Sequence, residues 1–217
     1  MTPRRQCVLI KAPVVDYYRG LAIQTEAHDK VGAGVYDGAL ILLEHHPVIT
    51  IGRGGGVENL CSGITGLRAA GIEVVHTDRG GNVTCHNPGQ LVGYPVINLK
   101  QWREDVHWHV HALEEVLIRV LARLGLHAGR KAKYTGVWLD DEKIAAIGVS
   151  VRHWITGHGF ALNMNNDLGL FRYIVPCGIR EFGVTSLVTA GITADMPSIV
   201  QYLTEEFAVV YDCLLEA

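Results

Sequence analysis

Three strand-forming runs, 136–139, 143–151 and 155–164, follow one another with connections too short to hold a helix. Gly136 to Leu139 and Lys143 to Val151 flank Asp140-Asp141-Glu142 as a hairpin, and Ile155 to Met164 supplies a third neighbour. Strands joined so closely must run antiparallel, because a parallel pair needs a crossover of a dozen or more residues. An antiparallel meander is therefore built into the chain.

The other elements surround this meander without a regular strand–helix alternation. Cys7 to Ala12 reads as a strand, and Val15 to Val31 as an amphipathic helix that stops at Gly32 and Gly34. Ala39 to Glu44 and Val48 to Ile51 are short apolar runs parted by His45-His46-Pro47, and Ile72 to His76 is a further strand. Apolar residues at 106, 110, 113, 117, 120, 121 and 124 keep helical spacing, with Asp105 placed to cap the start and Gly125 beyond the end. A closing helix is predicted over Pro197 to Leu215, with proline in its first turn. The pattern predicts a mixed-sheet α/β, α+β-like fold rather than a doubly wound parallel one. At 217 residues and 48% hydrophobic content, the expectation is a single domain over residues 1–217.

Several function classes are disfavoured. A net charge of −3, from 19 Lys+Arg against 22 Asp+Glu, provides no basic field for nucleic acid. The apolar run after Arg4-Arg5 is cut short by Lys11, which is no export signal, and no segment approaches the roughly 20 apolar residues of a membrane span. Cysteines at 7, 61, 85, 177 and 213 are odd in number and contain no Cys-x-x-Cys pair, arguing against a disulfide framework or zinc ribbon and for a reducing, cytoplasmic setting.

Two features carry chemistry. In Ile174-Val175-Pro176-Cys177-Gly178, proline fixes the chain before a thiol and glycine leaves room behind it, a setting that displays a nucleophile as well as it buries a small hydrophobe in a tight turn. Arg79-Gly80-Gly81-Asn82-Val83-Thr84-Cys85-His86-Asn87-Pro88-Gly89-Gln90 is a glycine-rich loop suited to hugging a ligand, without the ending of a phosphate loop or the spacing of a dinucleotide fingerprint. Lys143 opens an otherwise apolar strand. Beside Cys177 it gains a purpose, since a thiol of pKa about 8.5 is mostly protonated at pH 7 and a nearby ammonium favours the anion.

Taken together, Arg79-Gly80-Gly81 through His86, Tyr94-Pro95, Gly136-Val137-Trp138 with Lys143-Ile144 and Gly148, His158-Gly159-Phe160-Ala161-Leu162-Asn163 and Pro176-Cys177-Gly178 closely resemble the lipoyl(octanoyl) transferases, over roughly residues 40 to 187. The resemblance implies the mixed fold of biotin and lipoate protein ligase catalytic domains. It implies transfer of an octanoyl group from octanoyl-acyl carrier protein to a lysine of lipoyl domains, in the E2 subunits of 2-oxoacid dehydrogenases and the glycine cleavage H protein. It implies that no cofactor, metal, nucleic acid or membrane takes part in the reaction. By position, Cys177 matches the acyl-thioester nucleophile and Lys143 the lysine that lowers its pKa. Arg79, Gly80, Gly81, Asn82, Val83, Thr84, Cys85 and His86, then Ala146, Ile147 and Gly148, then Gly159, Phe160 and Ala161, match the substrate-binding segments. Cys85 and Asn87 depart from the family's usual aromatic residue and glycine, which bears on the pocket wall beside His86.

In this reading either Lys143 or His86 takes the proton of the acceptor amine, and Ile147 and Phe160 are candidates to line the acyl tunnel. An ATP-dependent lipoate or biotin ligase is the alternative, since Gly52-Arg53-Gly54-Gly55-Gly56 faintly echoes a nucleotide loop. A metal site at His107, His109 and His111 lacks a completing ligand, because a helix brings only 107 and 111 to one face. Arg130-Lys131-Ala132-Lys133 is the densest basic cluster and a candidate docking patch for acidic partner proteins.

Overall fold

The structure, a computed structural model, describes residues 4–175 and 182–216. Arg5–Val15 (β1) leads into Tyr17–Gly32 (α1), whose first turn is capped by the Asp16 carboxylate accepting from the Arg19 N–H at 2.7 Å. Gly38–His45 (β2), Val48–Ile51 (β3), Gly63–Ala69 (α2), Glu73–His76 (β4), Val83–His86 (β5) and Gln90–Ile97 (β6) follow. Leu99–Trp102 (α3), Val106–Arg123 (α4), Gly129–Lys131 (β7), Tyr134–Leu139 (β8), Glu142–Arg152 (β9) and Ile155–Asn163 (β10) come next. Gly183–Val184 (β11), Met196–Val210 (α5) and Cys213–Glu216 (β12) complete the described chain.

The larger sheet has the order β12-β1-β2-β6-β10-β9-β8-β7, with β11 added beside β9, and a smaller sheet has the order β4-β3-β5. β1 runs parallel to β12 and β2, while β6, β10, β9 and β8 are successively antiparallel. The mixed sheet and the meander over 136–164 are both as expected.

β2 is apolar without alternation because both of its faces are covered. Ala39, Ile41 and Leu43 pack with Ala27 and Val31 of α1, whereas Leu40 and Leu42 join Leu113 and Leu117 of α4 and Leu203 and Phe207 of α5. The smaller sheet has its own core, in which Ile49, Ile51, Val83 and Cys85 meet Leu67, Leu170, Phe171 and Ile174.

Helix α4 follows its expected bounds: the Asp105 carboxylate accepts from the Trp108 N–H at 3.1 Å, and Gly125 takes φ +79° just past the end. The closing helix is shorter than expected. It starts at Met196 and ends at Val210, Asp212 turns the chain at φ +47°, and Cys213–Glu216 pairs parallel with β1. No glycine or proline marks that break, so an apolar run concealed it. The 79–90 segment is also not a loop throughout: 83–86 is a strand of the smaller sheet, and Gln90 opens β6 at the centre of the larger one.

Candidate active site

The cleft lies where the two sheets meet. Its lining comes from the 79–86 segment, from β9 and β10, and from α1 and β6. Arg79, Gly81, Asn82, Val83, Thr84, His86, Lys143, Ala146, Ile147, Gly148, Gly159, Phe160 and Ala161 all line it, so residues far apart in sequence come to one place. Cys177, with Pro176 and Gly178, lies outside the described residues. Gly80 and Cys85 are not in the lining: Gly80 binds β9 through its N–H to the Val149 carbonyl at 2.8 Å, and Cys85 is turned into the core of the smaller sheet. Burial there pushes the Cys85 thiol well above its usual range, which makes it unreactive.

Lys143 reaches the cleft through a bulge. Val137 pairs with Ala145 but Trp138 with Lys143, leaving Ile144 as the extra residue on β9. The alternation reverses there, so Lys143 shares the cleft side with Ala146 and Gly148, while Ala145 and Val149 pack with the core of α4 and α5. The lysine is 7% exposed, its Nζ donates to the Thr135 carbonyl at 3.1 Å, and it lies 4.8 Å from the centre of the Trp138 ring.

The described chain is fastened on both sides of Cys177. Before it, the Val175 N–H donates to the Asn59 carbonyl at 2.8 Å. After it, Gly183 and Val184 pair with Glu142 and Lys143, the Thr185 N–H donates to the Lys143 carbonyl at 3.0 Å, and Phe182 packs on Tyr134 and Trp138.

Arg79 points inward and is buried. Its Nη2 donates to the Thr50 carbonyl and hydroxyl, and its Nη1 to the Gly80 carbonyl at 3.0 Å. The loop sits so close to β9 that a Cβ on Gly148 would come within 2.8 Å of the Gly80 carbonyl oxygen. The Gly52-Arg53-Gly54 amides donate to the carbonyls of Asn82, Arg79 and Gly81 at 2.8–3.1 Å, so they are engaged within the protein rather than presented to a phosphate.

His86 is held by a chain of amides with a fixed direction. Asn163 Nδ2 donates to the Thr185 carbonyl, which leaves Asn163 Oδ1 to accept from Gln90 Nε2 at 2.9 Å; Gln90 Nε2 also meets the Cys85 carbonyl. Gln90 Oε1 is then the atom 2.7 Å from His86 Nδ1, so Nδ1 carries the hydrogen and Nε2 of the neutral ring keeps its lone pair. Burial, with His45 and Arg79 adding to it, lowers the His86 pKa to about 3. Asn87 extends the same scaffold, accepting from Asn166 and donating to the Asp167 carbonyl.

Tyr17, Val92, Tyr94 and His158 also line the cleft and were not singled out as site residues from sequence. His158 is strained at φ +55° and places Nε2 2.7 Å from Asp78, next to Arg79 in the chain. Tyr94 donates its hydroxyl hydrogen to, or accepts from, His45 Nε2 at 2.6 Å, and Tyr17 stacks on His86. Tyr17 carries no motif, but Tyr94 and His158 stand within the quoted blocks.

Among the described residues no three His, Cys, Asp or Glu side chains gather as a metal site. His109 is buried with Nδ1 3.0 Å from the Tyr211 hydroxyl, and His111 Nδ1 lies 3.0 Å from Glu114. In the basic cluster, Arg130 is engaged by Glu114 and Glu115, and Lys131 by Asp141.

The lipoyl protein ligase A/B catalytic domain model matches residues 16–208. An octanoyltransferase of Thermoanaerobacter sp. (strain X514) is 47% identical over 208 residues, covering 95% of this chain and 91% of that protein. A bipartite lipoate protein ligase of Thermoplasma acidophilum, studied with its E2 lipoyl domain, has the same fold at TM-score 0.70 and 16% identity, covering 99% of this chain and 86% of that one. The biotin protein ligase of Aquifex aeolicus is more distant, at TM-score 0.53 and 12% identity, covering 94% of this chain and 69% of that one. The expected ligase-type fold is observed, and the chain belongs to the lipoyl protein ligase A/B catalytic domain family and, within it, to the octanoyltransferases.

Proposed function

We propose that this chain, as one catalytic domain, transfers an octanoyl group from octanoyl-acyl carrier protein to a lysine of lipoyl domains through a thioester on Cys177. The acceptors are the lipoyl domains of 2-oxoacid dehydrogenase E2 subunits and the glycine cleavage H protein, in the cytoplasm. One observation carries the reading: Lys143 is turned into an apolar-walled cleft, and the chain that follows Cys177 returns to pair with Lys143 itself. Among the described residues no helix is long and apolar enough to cross a membrane.

The proton balance closes on these two side chains. The Cys177 thiolate attacks the donor's thioester carbonyl, the carrier thiolate leaves, and it takes a proton from the Lys143 ammonium. The Lys143 amine then accepts the proton of the attacking acceptor lysine, the amide bond forms, and the Cys177 thiolate leaves beside a restored ammonium. His86, with a pKa near 3, is too weak a base to hold that proton, but its Nε2 lone pair can accept a hydrogen bond from the incoming amine. Val83, Val92, Ile147 and Phe160 supply apolar surface for the tail, whose seven carbons at ~0.8 kcal/mol each give an upper limit of roughly 5–6 kcal/mol for chain selection.

An adenylate-forming ligase needs ATP and no thiol nucleophile. Intact-mass analysis after mixing with octanoyl-carrier, without ATP, is expected to show one added octanoyl group on the parent protein and none on Cys177→Ala. Full transfer activity in Cys177→Ala, or transfer that requires ATP, would sink the reading.

A further inference from the structure

We propose that Glu114 is a positioning residue for Lys143, acting through the peptide bond between Thr135 and Gly136. The two ends of that one peptide face opposite charges. Its carbonyl, from Thr135, accepts from Lys143 Nζ at 3.1 Å, and its N–H, from Gly136, donates to Glu114 Oε1 at 3.2 Å. A carboxylate on α4 thereby fixes the direction in which the carbonyl on β8 points.

Such a latch is needed because of Gly136. Its φ is +126°, and a Cβ there would meet the Ala145 carbonyl at 2.6 Å and Lys143 Cε at 3.3 Å, so the close packing against the lysine stem demands glycine. Glycine also lets the preceding peptide rotate with little steric penalty. Rotated by half a turn, the peptide would aim its N–H at the ammonium and its oxygen at the carboxylate. Both contacts are repulsive: the oxygen would face Glu114 and the N–H would face Lys143, so each charge disfavours that state at its own end.

The acid is otherwise hard to account for. Glu114 is 4% exposed, on a helix face where Leu113, Val116 and Leu117 are fully buried, and a lone carboxylate there is strongly destabilising. Its second oxygen is balanced by Arg130 Nε at 2.9 Å and His111 Nδ1 at 3.0 Å, which leaves Oε1 for Gly136. The cluster read from sequence as a docking patch thus includes the counter-ion of a buried latch.

This inference rests on the proposed Cys177–Lys143 pair, and the experiment separates the two. The readouts are the pH profile of Cys177 alkylation, followed by peptide mass, and the octanoyl-transfer rate. Glu114→Leu is expected to slow transfer by about ten- to a hundredfold and to lower alkylation at pH 7 by up to about tenfold, the equivalent of one unit in thiol pKa. Glu114→Gln keeps an oxygen for the Gly136 N–H and should restore most of both. Should Glu114→Leu not fold, Glu114→Asp, one methylene short of Gly136, takes its place. A folded variant with the parent's alkylation profile, or equal damage in Glu114→Gln, overturns the inference. Lys143→Ala with an unchanged profile removes the pair itself, whereas a shifted Lys143→Ala beside unshifted Glu114 variants removes only the latch.

Discussion

Arg79 is fastened to Thr50 through both atoms the threonine can offer: Nη2 donates to its carbonyl at 2.8 Å and to its hydroxyl at 2.9 Å, and Nε reaches the same hydroxyl at 3.3 Å. The arginine on the loop is thereby tied to β3, and it holds the 79–82 backbone against β9. Lysine has no planar fork and cannot reproduce this. Arg79→Lys is expected to reduce kcat/KM for octanoyl-carrier by about tenfold or more, as for the loss of a charge-assisted hydrogen bond, and Thr50→Val by less. Steady-state kinetics of the two variants check this, and parental values for Arg79→Lys would refute it.

The Phe160 ring lies over Gly93, its partner across β6 and β10, in the place a side chain at 93 would occupy. A methyl at Gly93→Ala is expected to push the ring toward the cleft and shorten the space for the tail, while Phe160→Ala opens it. Each methylene gained or lost is worth ~0.8 kcal/mol, about fourfold in relative rate. Acylation rates with six-, eight- and ten-carbon carriers should move in opposite directions in the two variants. Identical chain-length ratios in parent and both variants would remove Phe160 from the tunnel.

The meander and α4 were legible because each has a local signal, short polar turns between apolar runs and a capped 3.6-residue period, and the glycines at 81, 148 and 159 mark segments that line the cleft. What escaped depends on contacts made elsewhere. β6 contains Gly93 and Pro95, both strand breakers in isolation, and is held by neighbours on each side. β12 is visible only once β1 is in place to pair with it. The side of β9 that carries Lys143 is set by a bulge, which a period of two cannot reveal. Tyr17 reaches the cleft because Asp16 caps α1 there, with no motif of its own.

Of the four buried histidines among the described residues, three have a pKa pressed far down, chiefly by desolvation: His45 to about 4, and His86 and His109 to about 3. The unfolded chain binds these protons below about pH 6.5, while the fold refuses them until about 3 or 4. Their contribution is therefore fully present above about 6.5 and lost as the pH falls, by up to about 1.4 kcal/mol per pH unit for each ring. His109 lies away from the cleft, so His109→Gln isolates one of them. Denaturant unfolding at pH 7, 6 and 5 should give a shallower pH dependence in this variant, and coincident slopes would contradict the assignment.

Pro95 stands in the centre of the larger sheet, where a missing N–H would normally break the ladder. Pairing between β6 and β10 does stop at Gly93 and Phe160, and resumes only as an isolated bridge between Asn98 and Ile155. The gap is filled by one side chain: the Thr156 hydroxyl donates to the Pro95 carbonyl at 2.7 Å and accepts from the Ile97 N–H at 2.9 Å. The chain can then bend away through His158 and Gly159, which brings both to the cleft. Thr156→Val keeps the shape but leaves two buried backbone groups unpartnered, at roughly 1–3 kcal/mol each. Denaturant unfolding should show that loss in Thr156→Val and most of the stability retained in Thr156→Ser, with transfer activity following the same order. Equal stability of the valine and serine variants would mean that packing, not the hydroxyl, closes the gap around Pro95.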